Sequence, residues 1–403
     1  MFLKIISLKP NGILSGAPDF AAMSEIIDAL EIVIYSSIRA GRKSMEMCSS
    51  IKSHLTRLAG LGAIFLIVSL GAGRVQEDGR SARVIPLPEL EIAGDVRVEH
   101  GRIYIRDKND IAVYSFETGR FLRRIGRAGQ GPGEFTMLGG FTVLADRIVI
   151  VDITKTLFFS VEGEYLSQMS PPARIMFYPF LPVGKHFVGV PMERRDDGST
   201  LPPMGVIYDT AGRQVKRFVE VPDILPPPPP PPGSSLPSGR EDVLMVRDYF
   251  DYVIHDNKIF VADSRKGLSI SVFDETGTLL YEIRHPLERV KMSKEYRDFA
   301  TKSRPEKYWA AHKAVFPDVF PALAAFKIDD GRIYAVTAAR KDGRHEVIIM
   351  DLKGKILERG FRFPFQIDFW APHIFARTFD VEADRFVWVE YNDSKDLYEL
   401  HID

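Results

Sequence analysis

The chain has 403 residues, 45% hydrophobic and 11% aromatic, enough to bury a large core as two or three domains or as one long repeat array. Lys and Arg total 53 against 54 Asp and Glu, so there is no positive excess to neutralise a phosphate backbone. Nucleic acid is not an expected partner.

Residues 58–73, LAGLGAIFLIVSLGAG, are uncharged and mostly apolar, follow Lys52 and Arg57, and end in small residues. That is the profile of a signal-peptide h-region. The run falls short of the roughly 20 residues that span a bilayer. Two readings stand: a cleaved signal, or a retained anchor that draws in part of its flank and makes the only membrane contact. Residues 1–57 form an N-terminal extension and basic n-region, within which Met45 or Met47 is a more ordinary start for a signal. Cys48 precedes the apolar run, so the lipoprotein pattern of a cysteine just after it is missing. The chain is therefore expected to be exported across the cytoplasmic membrane and not to be a lipoprotein. The cysteine-free remainder needs no disulfides in any redox compartment.

Beyond the apolar run a repeat emerges. HGRIYIRD (100–107), ADRIVIVD (145–152), HDNKIFVAD (255–263), DDGRIYAV (329–336) and EADRFVWV (382–389) share a polar turn, a basic residue and a β-rich run, and VGKHFVGV (183–190) is a weaker sixth copy. After most of these comes a second strand and a glycine turn, at Gly119, Gly163, Gly212, Gly277 and Gly354. Each glycine stands where a short hairpin requires positive φ, and alternating apolar residues flank it as half-buried strands require. With the short segment before each polar turn, every unit has about four strands, which is a propeller blade. Ile103, Ile148, Phe187, Ile259, Ile333 and Phe386 are the equivalent apolar positions.

The fold class is thus all-β: a six-bladed propeller of four-stranded antiparallel blades over residues 82–403. The last unit lacks a fourth strand, and ARVIPLPELEI (82–92) is expected to supply it and close the ring. Unequal spacings place insertions at 191–204, 224–242 and 285–326. The seven prolines 226–232 form a polyproline II rod that cannot join a sheet and reads as a solvated loop. Residues 293–315 predict a short helical insertion between blades 4 and 5, with Ser303 and Glu306 spaced as a capping box. Tyr296, Phe299, Tyr308, Trp309 and Phe316 give this insertion an apolar face, for packing on the propeller or for a ligand wall.

The stretch IGRAGQGPGEF (125–135) fits no phosphate loop, because Pro132 and Gly133 occupy the Lys and Ser/Thr places of a P-loop and no helix follows. It lies where the chain crosses from the rim of blade 1 to the axis of blade 2. Gly129, Gly131 and Gly133 supply permissive backbone there, Pro132 a fixed bend, and Phe135 an inter-blade anchor. This stretch, followed by DRIVIVD and LFFSVEGEYL, resembles the NHL-type repeat, and residues 82–403 resemble the six-bladed propellers exported by many bacteria. The resemblance implies a binding or interaction scaffold without assigned catalysis, presenting a face and axial funnel to a small ligand or protein partner. No cofactor is implied.

Some exported propellers are metal-dependent lyases or lactonases with an axial ion, and this is the rival reading. The nine histidines form no spaced cluster on one strand, although ligands from separate blades can converge. Asp107, Asp152 and Asp263 end equivalent strands, and their repetition favours turn capping over acid-base chemistry. No Gly-x-Ser-x-Gly elbow is present. For a ligand, residues leading into the inner strands are the candidates at the axial mouth: Arg97, Phe141, Tyr178, Tyr249 and Arg377. A monomer is expected.

Overall fold

The computed structural model describes residues 82–152, 155–170, 178–191, 193, 201–222, 241–304, 306–310 and 312–403. The N-terminal extension, the apolar run 58–73 and the proline run lie outside the described residues.

Six four-stranded antiparallel sheets follow one another along the chain. Their inner strands are Ala93–Glu99, Leu138–Val143, Leu181–Val183, Phe250–His255, Ala325–Asp329 and Phe379–Glu382 for blades 1 to 6. The register between each inner strand and the next is the same around the ring. Val98 faces Ile103, Val143 faces Ile148, Pro182 faces Phe187, Ile254 faces Ile259, Ile328 faces Ile333 and Val381 faces Phe386. The six apolar positions read from the sequence are therefore structurally equivalent. A one-residue slip in any blade would turn its apolar face away from the core, so burial on both faces fixes the register.

The ring closes through Arg83–Leu87, which pairs antiparallel with Leu397–Ile402 and forms the outermost strand of blade 6. An open final blade would expose a row of unpaired backbone groups, and this strand covers them. The five turn glycines have φ between 70° and 91°, in the left-handed region that favours glycine. In blades 3, 4 and 5 the turns are also held by Asp209, Asp274 and Asp351, each accepting two backbone N–H groups within its own hairpin.

Apolar cores fill the spaces between successive blades. Tyr104, Val113 and Ile125 of blade 1 meet Phe141, Ile148 and Leu157 of blade 2, with Phe135 fully buried among them. Gly126 leaves room for that ring: a Cβ there would lie 2.3 Å from it. Glu134 steadies the loop by accepting from the Gly131 N–H and from Arg127. The stretch turns a corner between blades.

Because strands alternate in direction within a blade, the connections divide between two ends. The tight hairpins after inner and third strands lie at one end, and the blade-to-blade crossings and second connections lie at the other. The flanks of all the sequence insertions are at this second, insertion end.

The insertion after blade 4 contains helix Lys294–Lys302, a short 3-10 turn Glu306–Ala310, and strand His312–Val315, which pairs parallel with Glu241–Leu244 of the connection before blade 4. Its aromatic face packs on the propeller, with Tyr296 edge-on to Phe320 and Phe369. The Glu306 side chain, expected to pair with Ser303 in a capping box, lies outside the described residues. Ser293 caps the helix, accepting from the Tyr296 N–H, and Ser303 ends it. The Ser303 hydroxyl donates to the Ala300 carbonyl and accepts from Arg304.

Candidate functional site

The equivalent register makes it possible to take the inner strands level by level along the axis. At the middle level stand Arg97, Thr142, Leu181, Val253, Lys327 and Asp380, which face Tyr104, Val149, Val188, Phe260, Tyr334 and Val387 on the second strands. Two residues further toward the hairpin end stand Glu99, Leu144, Val183, His255, Asp329 and Glu382. Toward the insertion end lie Asp95 and Asp251. Charge is confined to blades 4, 5, 6 and 1, while blades 2 and 3 contribute mainly apolar residues.

Asp380 ties this arc together. Its Oδ2 accepts the Val98 N–H of blade 1 at 2.9 Å, and its Oδ1 lies 3.7 Å from Lys327 Nζ of blade 5. Arg97 donates from Nη1 to the Arg377 carbonyl at 3.1 Å, and the Val96 N–H donates to the same oxygen. Three hydrogen bonds and one ion pair here join blade 6 and its lead-in to blades 1 and 5.

Lys327 is poorly satisfied. Its side chain is 11% exposed and its ammonium sits 5.0 Å above the Phe379 ring. Among the described residues Nζ makes no hydrogen bond. Burial pushes its pKa down to about 8; Asp380 opposes that shift and Arg97 adds to it. Asp251, on the adjacent blade, shows the converse: burial raises its carboxyl, against the pull of Arg377, Lys327 and Arg97. Its oxygens accept from the Tyr252 N–H at 2.8 Å and, weakly, from the Tyr249 hydroxyl at 3.3 Å. Asp95 is buried, its Oδ1 lies 4.0 Å from Arg106 Nε, and its Oδ2 has no hydrogen-bond partner.

The two ends of the axis differ. At the insertion end the short helix Pro372–Phe375 crosses from the blade 5–6 connection to the inner strand of blade 4. There His373 lies against the Tyr178 ring, 5.8 Å between centroids. His373 is buried with neither ring nitrogen hydrogen-bonded, and burial together with Arg377 and Arg247 holds its pKa well below the usual histidine value. At the hairpin end Glu99, Asp329 and Glu382 share one level. Burial, then mutual repulsion with Asp329, Glu99 and Asp380, lifts Glu382 to about 7.

The five residues singled out in the sequence are therefore spread over several environments. Arg97 is on the middle axial level, with its guanidinium 5.9 Å from the Phe141 ring centroid. Phe141 stands one residue off that level and is buried between blades 1 and 2. Tyr178 is buried against Phe250, Tyr252 and His373, and Tyr249 is buried between blades 4 and 5, where its hydroxyl accepts the Phe326 N–H. Arg377 is half-buried beside Gly140 and Asp95. Sequence reasoning missed Asp251, Lys327, Asp380 and the hairpin-end carboxylates. A signal existed in the alternating charges of DVRVE, KID and DVE, at the ends of strands otherwise expected to be apolar.

The repeated aspartates hold turns. Asp107 accepts the Glu91 and Ile92 N–H groups, Asp152 that of Thr136 and Asp263 that of Arg265. Among the described residues no group of three or more His, Cys, Asp or Glu is placed to hold a metal ion. Nor does any described helix have the length and apolarity to cross a membrane.

The family comparison agrees on architecture. The DUF5128 family, described as a 6-bladed beta-propeller, matches residues 88–219, which are blades 1 to 3. No curated protein matches the chain. Among solved structures, a Bacteroides fragilis protein described as exported is similar at 14% identity and a TM-score of 0.47, over 80% of this chain and 94% of its own. A DUF4221 family member from Bacteroides vulgatus is similar at 13% identity and a TM-score of 0.44, over 80% and 96%.

Proposed function

We propose that this chain is an exported, NHL-like six-bladed propeller that acts as a binding scaffold, with a small polar ligand held on its axis. The apolar run 58–73 supports export. One observation supports axial binding: Lys327 carries a desolvated ammonium with no hydrogen bond, on the axis, beside Arg97, Asp251 and Asp380. A purely structural lysine in this position would be expected to complete its hydrogen bonds, because an unmet buried charge costs stability. The test is to purify the exported protein gently, denature it, and analyse the released small molecules by mass spectrometry. A compound present with the wild type and absent with Lys327→Met supports the reading, and identical blank extracts count against it. Fractionation with N-terminal sequencing of the same material tests export and the fate of residues 58–73.

A further inference from the structure

The proposed axial site holds unmet charge of both signs. Lys327 has three donor positions and one distant carboxylate, while Asp95 Oδ2 is a buried acceptor with no donor. Arg97 and Asp251 complete the set, and Asp380, Arg97, Asp251 and Asp95 all lie close enough to Lys327 to alter its protonation. Four cations, Arg97, Arg106, Lys327 and Arg377, stand with three carboxylates, Asp95, Asp251 and Asp380. The site therefore holds both signs of charge and is polarised within.

We infer that the axial site takes a small zwitterion, a molecule carrying one carboxylate and one ammonium, with the carboxylate toward Lys327 and Arg97 and the ammonium toward Asp95 and Asp251. An anion alone would leave Asp95 Oδ2 without a donor and Asp251 with only neutral donors, and a cation alone would leave Lys327 without an acceptor. Either would leave a buried polar group unmet, which is costly. A zwitterion meets both with charge-assisted hydrogen bonds, about twice as strong as neutral ones. The burial-driven shifts of Lys327 downward and Asp251 upward point the same way, since a ligand carboxylate would restore the first and a ligand ammonium the second. Solvent reaches the Asp380 carboxylate, which is 15% exposed. The short helix Pro372–Phe375 lies at the insertion end.

This inference rests on the axial-binding reading, and the experiment separates the two. The full exported chain is titrated by calorimetry and thermal melting with glycine, β-alanine, γ-aminobutyrate and L-glutamine, which vary the spacing of the two charges. Glucose, succinate and putrescine serve as neutral, anionic and cationic probes. At least one zwitterion is expected to bind and to raise the melting temperature with the logarithm of its concentration. Lys327→Met and Asp251→Asn should each weaken it at least about tenfold, and the nearly isosteric Asp95→Asn gives a third variant should either fail to fold by circular dichroism. Binding of glucose, succinate or putrescine in place of the zwitterions overturns the ligand class and leaves axial binding standing. Binding unaffected by all three substitutions, or no binding by any probe, overturns the inference; blank extracts from the purified protein then remove the axial reading as well.

Discussion

The axis of this propeller has two unlike arcs built on one frame. Blades 2 and 3 place Thr142, Leu181, Leu144 and Val183 at positions where blades 5, 6 and 1 place Lys327, Asp380, Arg97, Asp329, Glu382 and Glu99. The hairpin register is the same in all six blades. Repetition thus governs the frame, and the axial chemistry varies freely upon it. Inter-blade cores need each strand's apolar face in place, but the axial side chains meet no such repeated partner.

The comparison can be broken most severely at the frame. Beginning the chain at Gly94 removes Arg83–Leu87 from the outer edge of blade 6, forfeiting a ladder of backbone bonds and exposing an edge. Compared with a chain beginning at Val75, it should melt markedly lower and self-associate in light scattering. Equal stability and monodispersity would mean that closure does not depend on this strand. Next in size is Phe135→Ala, which empties the core between blades 1 and 2. Denaturant unfolding should show a loss of about 3–5 kcal/mol. A neutral outcome would remove Phe135 as the anchor of the crossing.

Smaller effects are expected within the charged arc. Asp380→Ala leaves the Val98 N–H and the Lys327 ammonium without their carboxylate. The loss should be about 1–3 kcal/mol by denaturant unfolding, against no comparable loss from Thr142→Ala at the same level in blade 2. Equal losses would erase the distinction between the arcs.

The subtlest effect is a pH dependence at Glu382. Its folded pKa, about 7, is raised above the ordinary value of 4.5. The folded state therefore holds this proton more tightly than the unfolded state. Stability from the protonated group is complete below pH 4.5 and is lost as pH rises through 7. Glu382→Gln should accordingly raise the melting temperature relative to wild type more at pH 8 than at pH 5. A difference that is flat with pH would show that the hairpin-end carboxylates do not repel one another as described.

The frame was legible in the sequence because its signals repeat. The polar turn, basic residue and β-rich run recur in six places, the turn glycines require positive φ, and Phe135 follows a glycine-rich crossing with one evident purpose. The axial site was only partly legible. Arg97 falls on the axial level, but Phe141 is one residue out of phase and Tyr178 and Tyr249 are held in the core. The inner strands are short, so their phase cannot be read from their own apolar pattern; it comes from pairing with the second strand. Once Val98 is set opposite Ile103, and Ile328 opposite Ile333, Arg97 and Lys327 fall together.

The central claim is that Lys327 presents a desolvated ammonium to a solvated axis. Reductive methylation with isotope-labelled formaldehyde, followed by a carbon NMR titration, measures this most directly, with Lys327→Arg assigning the signal. One methylated lysine is expected to titrate near 8 and to vanish in the variant. A Lys327 signal titrating with the surface lysines at about 10.4, or a Lys327 that the reagent never reaches in the folded protein, would contradict the claim.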